Sequence, residues 1–412
     1  MPWPRIPHSS PGVPQSRAGL IVLLGSMTAL GAVAGDIYLP SLPQIAHDFQ
    51  ASDGAAQATV SVTLLGGAVG QMLVGPISDV LGRRKPVLAG LALHVAASVL
   101  IALTPSLGLL LVLRFFQGIG NAAAAVVGLA VVRDLYTGSA AARLISQLML
   151  VIGVAPLLAP TLGSAIASWA GWRATFGFLA LFGGALALFV YLKLPDTLAP
   201  ENRGVRSASA LVRGYGAILR DRRFCALALL PGLCQAGTMG WVVSSPFLIM
   251  DTYALPPAVF PLVFAAGGVF LVGGAQINAG LVRRVGPRRL LGLAQPASLV
   301  CALILLGVSL ARWGGLAGLL IPLFAILLLT GMGPANASAL AMSRHGKVAG
   351  SAAALIGMAQ AATAAGVTAI VGAIGAGQIG MASVIAGALG LAMVLMTVWG
   401  GVYGRRPPRA LP

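Results

Sequence analysis

Asp36–Ile37–Tyr38–Leu39–Pro40–Ser41–Leu42–Pro43 closes an apolar run that begins near Ala18. Its reading decides the class of the protein, because it sets one carboxylate at the far end of a stretch long enough to cross a bilayer. Counted from Ala18, Asp36 lies about 27 Å along a helix rising about 1.5 Å per residue. In a membrane this is the outer third, where an acid costs about 2.5–3.5 kcal/mol on insertion scales. Two readings stand at this point. Either the helix ends early and Asp36 is an exposed loop acid, or Asp36 is an intramembrane acid with a function.

Outside this run the composition settles the medium. The chain has 412 residues, 58% of them apolar and 8% charged, with a mean hydropathy of +0.93. A soluble domain carries about 25% charged residues. There is too little polar surface here to face water, so the chain is an integral membrane protein. Nine acids stand against 26 Lys plus Arg. That excess does not form a basic stripe with interleaved aromatics, so no nucleic acid partner is expected. Cys225, Cys234 and Cys301 lie in apolar runs with no metal-ligand or disulfide spacing, and read as small packing residues. No metal is expected. His94, inside a span, reads as a satisfied helix residue.

Apolar windows of at least 18 residues predict transmembrane helices near 18–42, 57–77, 86–104, 107–131, 143–167 and 174–194. A second set is predicted near 224–249, 258–281, 290–311, 315–341, 348–373 and 379–402. The expected organisation is a tail at 1–17, a six-helix bundle at 18–194, a linker at 195–223, a second six-helix bundle at 224–402 and a tail at 403–412. The fold class expected is thus all-α, with twelve transmembrane helices in two six-helix halves. Of the 26 basic residues, 23 fall on one set of alternate segments, two (Arg173 and Arg312) on the other, and Arg114 lies inside a span. The positive-inside rule then puts both termini and the linker in the cytoplasm.

The halves carry a weak repeat. Gly75–Pro76–Ile77–Ser78–Asp79–Val80–Leu81–Gly82–Arg83–Arg84 follows span 2, and Gly280–Leu281–Val282–Arg283–Arg284–Val285–Gly286–Pro287–Arg288–Arg289 follows span 8. Repeated six-helix halves are a transporter design. Paired small residues such as Gly66 and Gly70, Gly273 and Gly274, or Gly372 and Gly375 read as helix-packing surfaces.

The Gly75–Lys85 stretch resembles the loop between helices two and three of the major facilitator superfamily. Arg114–Phe115–Phe116–Gln117–Gly118 resembles that superfamily's intramembrane arginine motif, and Gly153–Val154–Ala155–Pro156–Leu157–Leu158–Ala159–Pro160–Thr161–Leu162–Gly163 its antiporter motif. Asp36–Ile37–Tyr38–Leu39–Pro40, Val132–Arg133–Asp134, Gly171–Trp172–Arg173, Ser245–Pro246–Phe247, and Ala349–Gly350–Ser351 with Gln360 narrow the resemblance to the Bcr/CflA drug-resistance subfamily of proton-driven exporters. Val80, Ser164 and Arg283 depart from the pattern. Because Arg283 stands in the place of Asp79, an acid-based latch can work on one half only.

Arg114 and Asp36 lie at matching depth, each roughly 10 Å from the outer end of its span. They are candidates to face one another, either as a proton-coupling pair or as a static pair that fixes packing. A neighbouring cation holds a carboxyl ionised and desolvation favours its protonated form, so a change in their separation moves a proton. The resemblance implies that Asp36 is the proton site and part of the drug site, tuned by Arg114. It also implies a cytoplasmic gate of Gly75, Asp79, Gly82, Arg83, Arg84 and Asp134. In that gate Asp79 faces the start of helix eleven near Lys347–Ser351, and Arg83 is a candidate partner of Asp134. Basic residues that merely mark topology account for Arg84 and Lys85 equally well. Gly153, Pro156, Pro160 and Gly163 imply a bend in span 5, static or sealing against proton leak. Candidate substrate contacts are Asp36, Tyr38, Gln117, Asn121, Met149, Gln235, Met239, Trp241 and Phe247, with Gln147 and Gln360 nearby in the same reading.

The function expected is a proton-coupled antiporter exporting small amphipathic drugs, of chloramphenicol or bicyclomycin type, by alternating access. The implied setting is the bacterial inner membrane, with drug, proton and lipid bilayer as partners and a monomer as the working unit. The alternative is an exporter or symporter of a metabolite such as an amino acid, siderophore or sugar. A membrane enzyme or scaffold would want a reactive cluster or a folded extramembrane domain, and neither is legible, so no enzymatic activity is expected. No nucleotide-binding Gly-x-x-x-x-Gly-Lys-Ser/Thr loop occurs, so neither ATP nor any other cofactor is expected, the proton gradient being the driving force.

Overall fold

The computed structural model describes residues 17–199, 201, 203, 215–216, 218–343, 349–375 and 377–398. The expected tails at 1–16 and 403–412, and the parts of the linker missing from that range, lie outside the described residues. Every regular element among them is helical.

Among the described residues, eleven helices are long and apolar enough to cross a membrane. One of them, Arg143–Lys193, has 51 residues and so about 77 Å of helix, more than twice a bilayer core of about 30 Å. Within it Gly171 takes a non-helical conformation (φ 76°, ψ 171°). Spans 5 and 6 meet at this glycine, which restores the twelve spans. Only a residue without a Cβ reverses the chain so sharply in so short a turn.

Three spans are broken where the hydropathy windows run on. Span 1 is helical over Arg17–Asp36 and stops at Asp36; a 3₁₀ turn, Leu39–Ser41, and a short helix, Leu42–Asp48, follow. Pro40 and Pro43 each remove a backbone donor, which weakens the helix here and favours its end. Span 7 is interrupted at Gln235, between Arg222–Cys234 and Ala236–Pro246, and continues as a π-helical turn, Phe247–Thr252. Span 10 is interrupted between Gly315–Thr330 and Gly333–Met342. A hydropathy window averages over such breaks and does not see them. Spans 2 and 4 run four residues beyond the expected 57–77 and 107–131 at the Asp79 end, as Asp53–Leu81 and Leu107–Leu135, and span 2 also starts four residues early.

Small residues set the close approaches. In the first half a methyl on Gly66 would run into the Phe115 carbonyl, and one on Gly118 into the Thr63 carbonyl. In the second half Gly274 lies against the Leu328 carbonyl in the same way. Span 2 thus packs on span 4 as span 8 (Phe260–Val285) packs on span 10.

Spans 2 and 11 join the halves in antiparallel register: Gly54 lies against Gly372, Ser61 Oγ bonds Thr368 Oγ1 at 2.7 Å, and Gly357 faces the Gln71 amide. Gln57 Nε2 adds a 2.9 Å bond to the Val243 carbonyl of span 7. At the Asp36 end one apolar core runs through both halves, from Tyr38, Leu39 and Phe176 to Trp241, Phe247 and Ile385. At the Asp79 end each half has its own core, one around Leu23, Val87 and Val131, the other around Phe224, Leu291 and Met396.

Candidate functional site

The end of span 1 builds the site. Ile37, Tyr38 and Leu39 are fully buried after the helix stops, so the early helix end does not release the chain to water. Asp36 is half-buried, and its carboxyl makes no hydrogen bond and no ion pair. The other eight acids lie at the rims of the bundle: Asp48, Asp53 and Asp251 at one end; Asp79, Asp134, Asp196, Glu201 and Asp221 at the other. Asp36 lies between these two rims: the helix ends at it, as the first of the two opening readings has it, but the residue is half-buried and not an exposed loop acid.

Arg114 is fully buried but is not within ion-pair distance of Asp36. Its Nη1 donates to Gln117 Oε1 at 2.5 Å and to the Ala34 carbonyl at 3.2 Å. Its guanidinium lies 4.1 Å from the centre of the Tyr38 ring and 5.7 Å from that of Phe176. The physical reason is the turn itself. By ending the helix at Asp36 the chain lays Tyr38 over the guanidinium, and a desolvated cation on a π face gains about 2 kcal/mol. The Ala34 carbonyl belongs to the last turn of span 1, where unpaired carbonyls and the negative end of the helix dipole attract a cation. Arg114 therefore caps span 1.

Two of the candidate substrate contacts are committed elsewhere. Gln117 Nε2 donates to Ser98 Oγ at 2.7 Å, Ser98 Oγ to the His94 carbonyl at 2.7 Å, and Asn121 Oδ1 sits 2.7 Å from His94 Nδ1. His94 Nε2 lies 3.3 Å from the Leu179 carbonyl. This is a buried chain linking spans 3, 4 and 6, and it spends Gln117 and Asn121 on holding the first half together. Tyr38 keeps its hydroxyl at 3.0 Å from Thr59 Oγ1 on span 2. Across the interface, Trp241 stacks on Phe264 at 6.2 Å with its indole N–H unpartnered, and Phe247 is buried beside it in the shared core. Gln360 Nε2 donates to Gln235 Oε1 at 2.8 Å, bracing the interruption of span 7 against span 11. Met239 is half-buried, whereas Met149 is 45% exposed and lies away from Trp241, on span 5. The Gln147 amide oxygen is buried without a partner.

Pro160 is buried in span 5, and the helix continues through both motif prolines; the Pro156 side chain lies outside the described residues. Gly153 approaches Val272 of span 8, and Gly163 lies against the Ile37 carbonyl with no room for a methyl. The antiporter stretch thus abuts the residue after Asp36. Its Val154, Ala155, Leu158, Ala159 and Leu162 also line an apolar groove of about 510 Å³ shared with Val33 and Phe178.

The Asp79 end holds an ionic clamp. Arg83 Nε donates to Asp134 at 2.9 Å, and Nη1 to Asp79 at 2.6 Å and to Ser78 Oγ at 2.9 Å. Burial works against the Arg83 charge, but the hydrogen bonds and charges of Asp134 and Asp79 outweigh it and hold its pKa above the usual arginine value. Gly82 (φ 84°) makes the turn, and its open face is filled by the Asp196 carboxylate, which accepts from the Arg83 backbone N–H at 2.8 Å and from Arg203 Nη2 at 2.8 Å. Thr197 Oγ1 bonds Asp134 at 2.9 Å. Gly75 has open space beside it, and its carbonyl accepts from Ser78 Oγ. Arg84 has a specific partner, donating to the Tyr191 carbonyl at 2.6 Å with its guanidinium over the Tyr191 ring. The expected contact of Asp79 near Lys347–Ser351 falls largely on residues 344–348, outside the described residues. The register of spans 2 and 11 brings Asp79 level with Ala349, the first residue of span 11.

Asp196 and Thr197 were not legible as site residues: Asp196 lies 113 residues from Arg83, with only its place just after span 6 as a signal. Equally unannounced is the opposite rim, where Trp172 Nε1 donates to Asp48 at 2.8 Å and Arg173 lies 3.6 Å from the same carboxylate.

The family model of the Major Facilitator Superfamily matches residues 24–368. The chain belongs to the major facilitator superfamily. It is 36% identical over 346 residues to the uncharacterized MFS-type transporter YdgK of Bacillus subtilis, covering 84% of this chain and 86% of that one. It is 27% identical to a bicyclomycin resistance protein homolog of Haemophilus influenzae (82% and 84% covered) and 28% identical to a chloramphenicol resistance protein of Pseudomonas aeruginosa (79% and 76% covered). These relatives place it among the Bcr/CflA-like members. Its fold is that of the Escherichia coli xylose transporter XylE in a partially occluded inward-open form, at a TM-score of 0.72, with 15% identity and 92% and 97% of the two chains covered. This major facilitator chain is a multi-span transporter of small molecules.

Proposed function

We propose that this transporter is a proton-coupled antiporter that exports small amphipathic drugs by alternating access. The observation that carries the reading is the Asp36 carboxyl: it is the one acid set between the two rims of the bundle, and no protein group neutralises it. A carboxyl so placed changes its proton occupancy whenever its hydration or its distance from a cation changes. Arg114, anchored on Ala34 and Tyr38, supplies a fixed cation one turn away, so motion of span 1 is converted into a change of field at Asp36.

The relatives named for bicyclomycin, chloramphenicol and multidrug resistance support drug as the cargo. The Trp241–Phe264–Phe324 cluster and the unpartnered indole N–H offer an amphipathic molecule stacking faces and one donor. The shared core at the Asp36 end and the split cores at the Asp79 end match a carrier sealed on one side. With the charge asymmetry, this reading places the Asp79 end and both termini in the cytoplasm of a bacterial cell, in the inner membrane, with a monomer as the unit and no cofactor or ATP.

The test uses everted membrane vesicles with a respiration-driven pH gradient and a fluorescent pH reporter. A drug panel including chloramphenicol is added to wild type and to Asp36→Asn. The expected result is drug-evoked proton release from wild-type vesicles and none from the variant. An equal response from both overturns the assignment of Asp36.

A further inference from the structure

The internal repeat makes an unequal comparison between the two halves. Gly82 and Gly286 occupy the same place, after spans 2 and 8, and take the same conformation, φ 84° and φ 85°. Over Gly82 the space a Cβ would fill is taken by the Asp196 carboxylate. Over Gly286 that space is open. Around the first turn, Asp79, Asp134 and Asp196 pair with Arg83 and Arg203, with Arg84 and Lys85 beside them. Around the second stand Arg283, Arg284, Arg288 and Arg289, with Arg283 in the place of Asp79.

Among the described residues no acid pairs with Arg283, Arg284 or Arg289. Past Asp221 the sequence contains one acid, Asp251, at the opposite end of span 7. Asp221 itself caps its own helix, accepting from the Arg223 and Phe224 N–H groups. Arg283, Arg284 and Arg289 are exposed and make no ion pair. Arg288 and Arg289 also lie in the first turn of Pro287–Ala311, where the helix dipole disfavours cations and favours an anion. Pro287 has no N–H, so an anion here is held by guanidinium groups and not by the backbone donor that Asp196 uses.

We propose that the Arg283–Arg289 turn binds the phosphate of an anionic phospholipid, which supplies to the second half the negative charge that Asp196 supplies to the first. A lipid fits better than a free anion because the apolar side chains next along both spans, Ile277, Leu281 and Leu293, are exposed and continue from the arginines toward the bilayer interior. One molecule can thus satisfy both surfaces, head on the guanidinium groups and acyl chain on the leucines. This inference does not depend on the antiport reading.

The test is native mass spectrometry of the full chain in neutral detergent, titrated with phosphatidylglycerol or phosphatidylcholine. Wild type is expected to retain phosphatidylglycerol in preference. Each basic residue near a membrane surface is worth roughly fivefold in anionic lipid binding, so Arg283→Gln/Arg284→Gln/Arg289→Gln should lose about tenfold or more. The corresponding Lys variant, which keeps the charge, should retain most of the preference. Should the triple variant not purify, the single variants Arg283→Gln and Arg289→Gln read the same preference. Equal retention of phosphatidylglycerol by wild type and Gln variants overturns the proposal, as does equal retention of the two lipids. Displacement of the lipid by inorganic phosphate at equal concentration overturns it in favour of a free-anion site.

Discussion

Replacing Asp134 by Asn tests whether the Arg83 clamp is a structural centre or an ornament of the surface. Asp134 holds Arg83 through both oxygens, at 2.9 and 3.3 Å, and also accepts from Thr197. The Arg83 and Asp134 side chains are 9% and 14% exposed, whereas Asp79 is 56% exposed. Removing one partner of a buried pair costs about 3–5 kcal/mol, and since Asp79 and Ser78 still hold Arg83, the lower end, about 3 kcal/mol, applies. Asp79→Asn removes a solvent-screened partner, worth about 0–1 kcal/mol. The two variants differ by one carboxyl each and should therefore separate clearly. The assay is denaturation of purified protein in detergent, followed by tryptophan fluorescence, on wild type, both single variants and the double. The double should cost more than the sum of the singles, because Arg83 then loses every anionic partner. Equal costs for the two singles, or no cost for Asp134→Asn, would refute the assignment of the clamp to burial.

Two further outcomes follow from close contacts. Gln57→Ala removes the 2.9 Å bond to the Val243 carbonyl that ties the halves at the Asp36 end. It should shift the balance between closed and open at that end by about 1 kcal/mol, roughly fivefold, read as a longer distance between spin labels on the rims of spans 1 and 7. Gly163→Ala puts a methyl into the Ile37 carbonyl and should cost about 1–3 kcal/mol while displacing the turn that carries Asp36. Drug-evoked proton release should fall in that variant even where folded protein is recovered at wild-type yield, and unchanged release would count against a tight seat for span 1.

Much of the architecture was legible because bilayer length and alternating charge are written residue by residue. The twelve spans and the acid in span 1 come from local patterns, and the Arg83–Asp134 pairing comes as a candidate with the family resemblance. Other features depend on contacts that no local pattern encodes. Tyr38 lies over Arg114 after the helix has ended at Asp36, and no hydropathy window marks that end. Gln117 and Asn121 are polar residues within a span, which in sequence look like ligand contacts, yet His94 and Ser98 claim them. Asp196 reaches Gly82 from beyond four spans, and the linker's composition conceals the one acid that matters there. Hydropathy also passes over the breaks at Gln235 and Gly331, since an apolar helix and an apolar kink have the same average.

The division of the apolar core has a consequence for the working stroke. At the Asp36 end, opening must part a single continuous interior in which Tyr38, Trp241 and Phe247 share neighbours. At the Asp79 end, two self-contained interiors can separate without either being torn. The Asp36 end is thus held shut by packing that spans both halves, and the Asp79 end has no such shared core among the described residues. Energy is needed on the stroke that opens the shut door, because that stroke exposes apolar surface which both halves bury together.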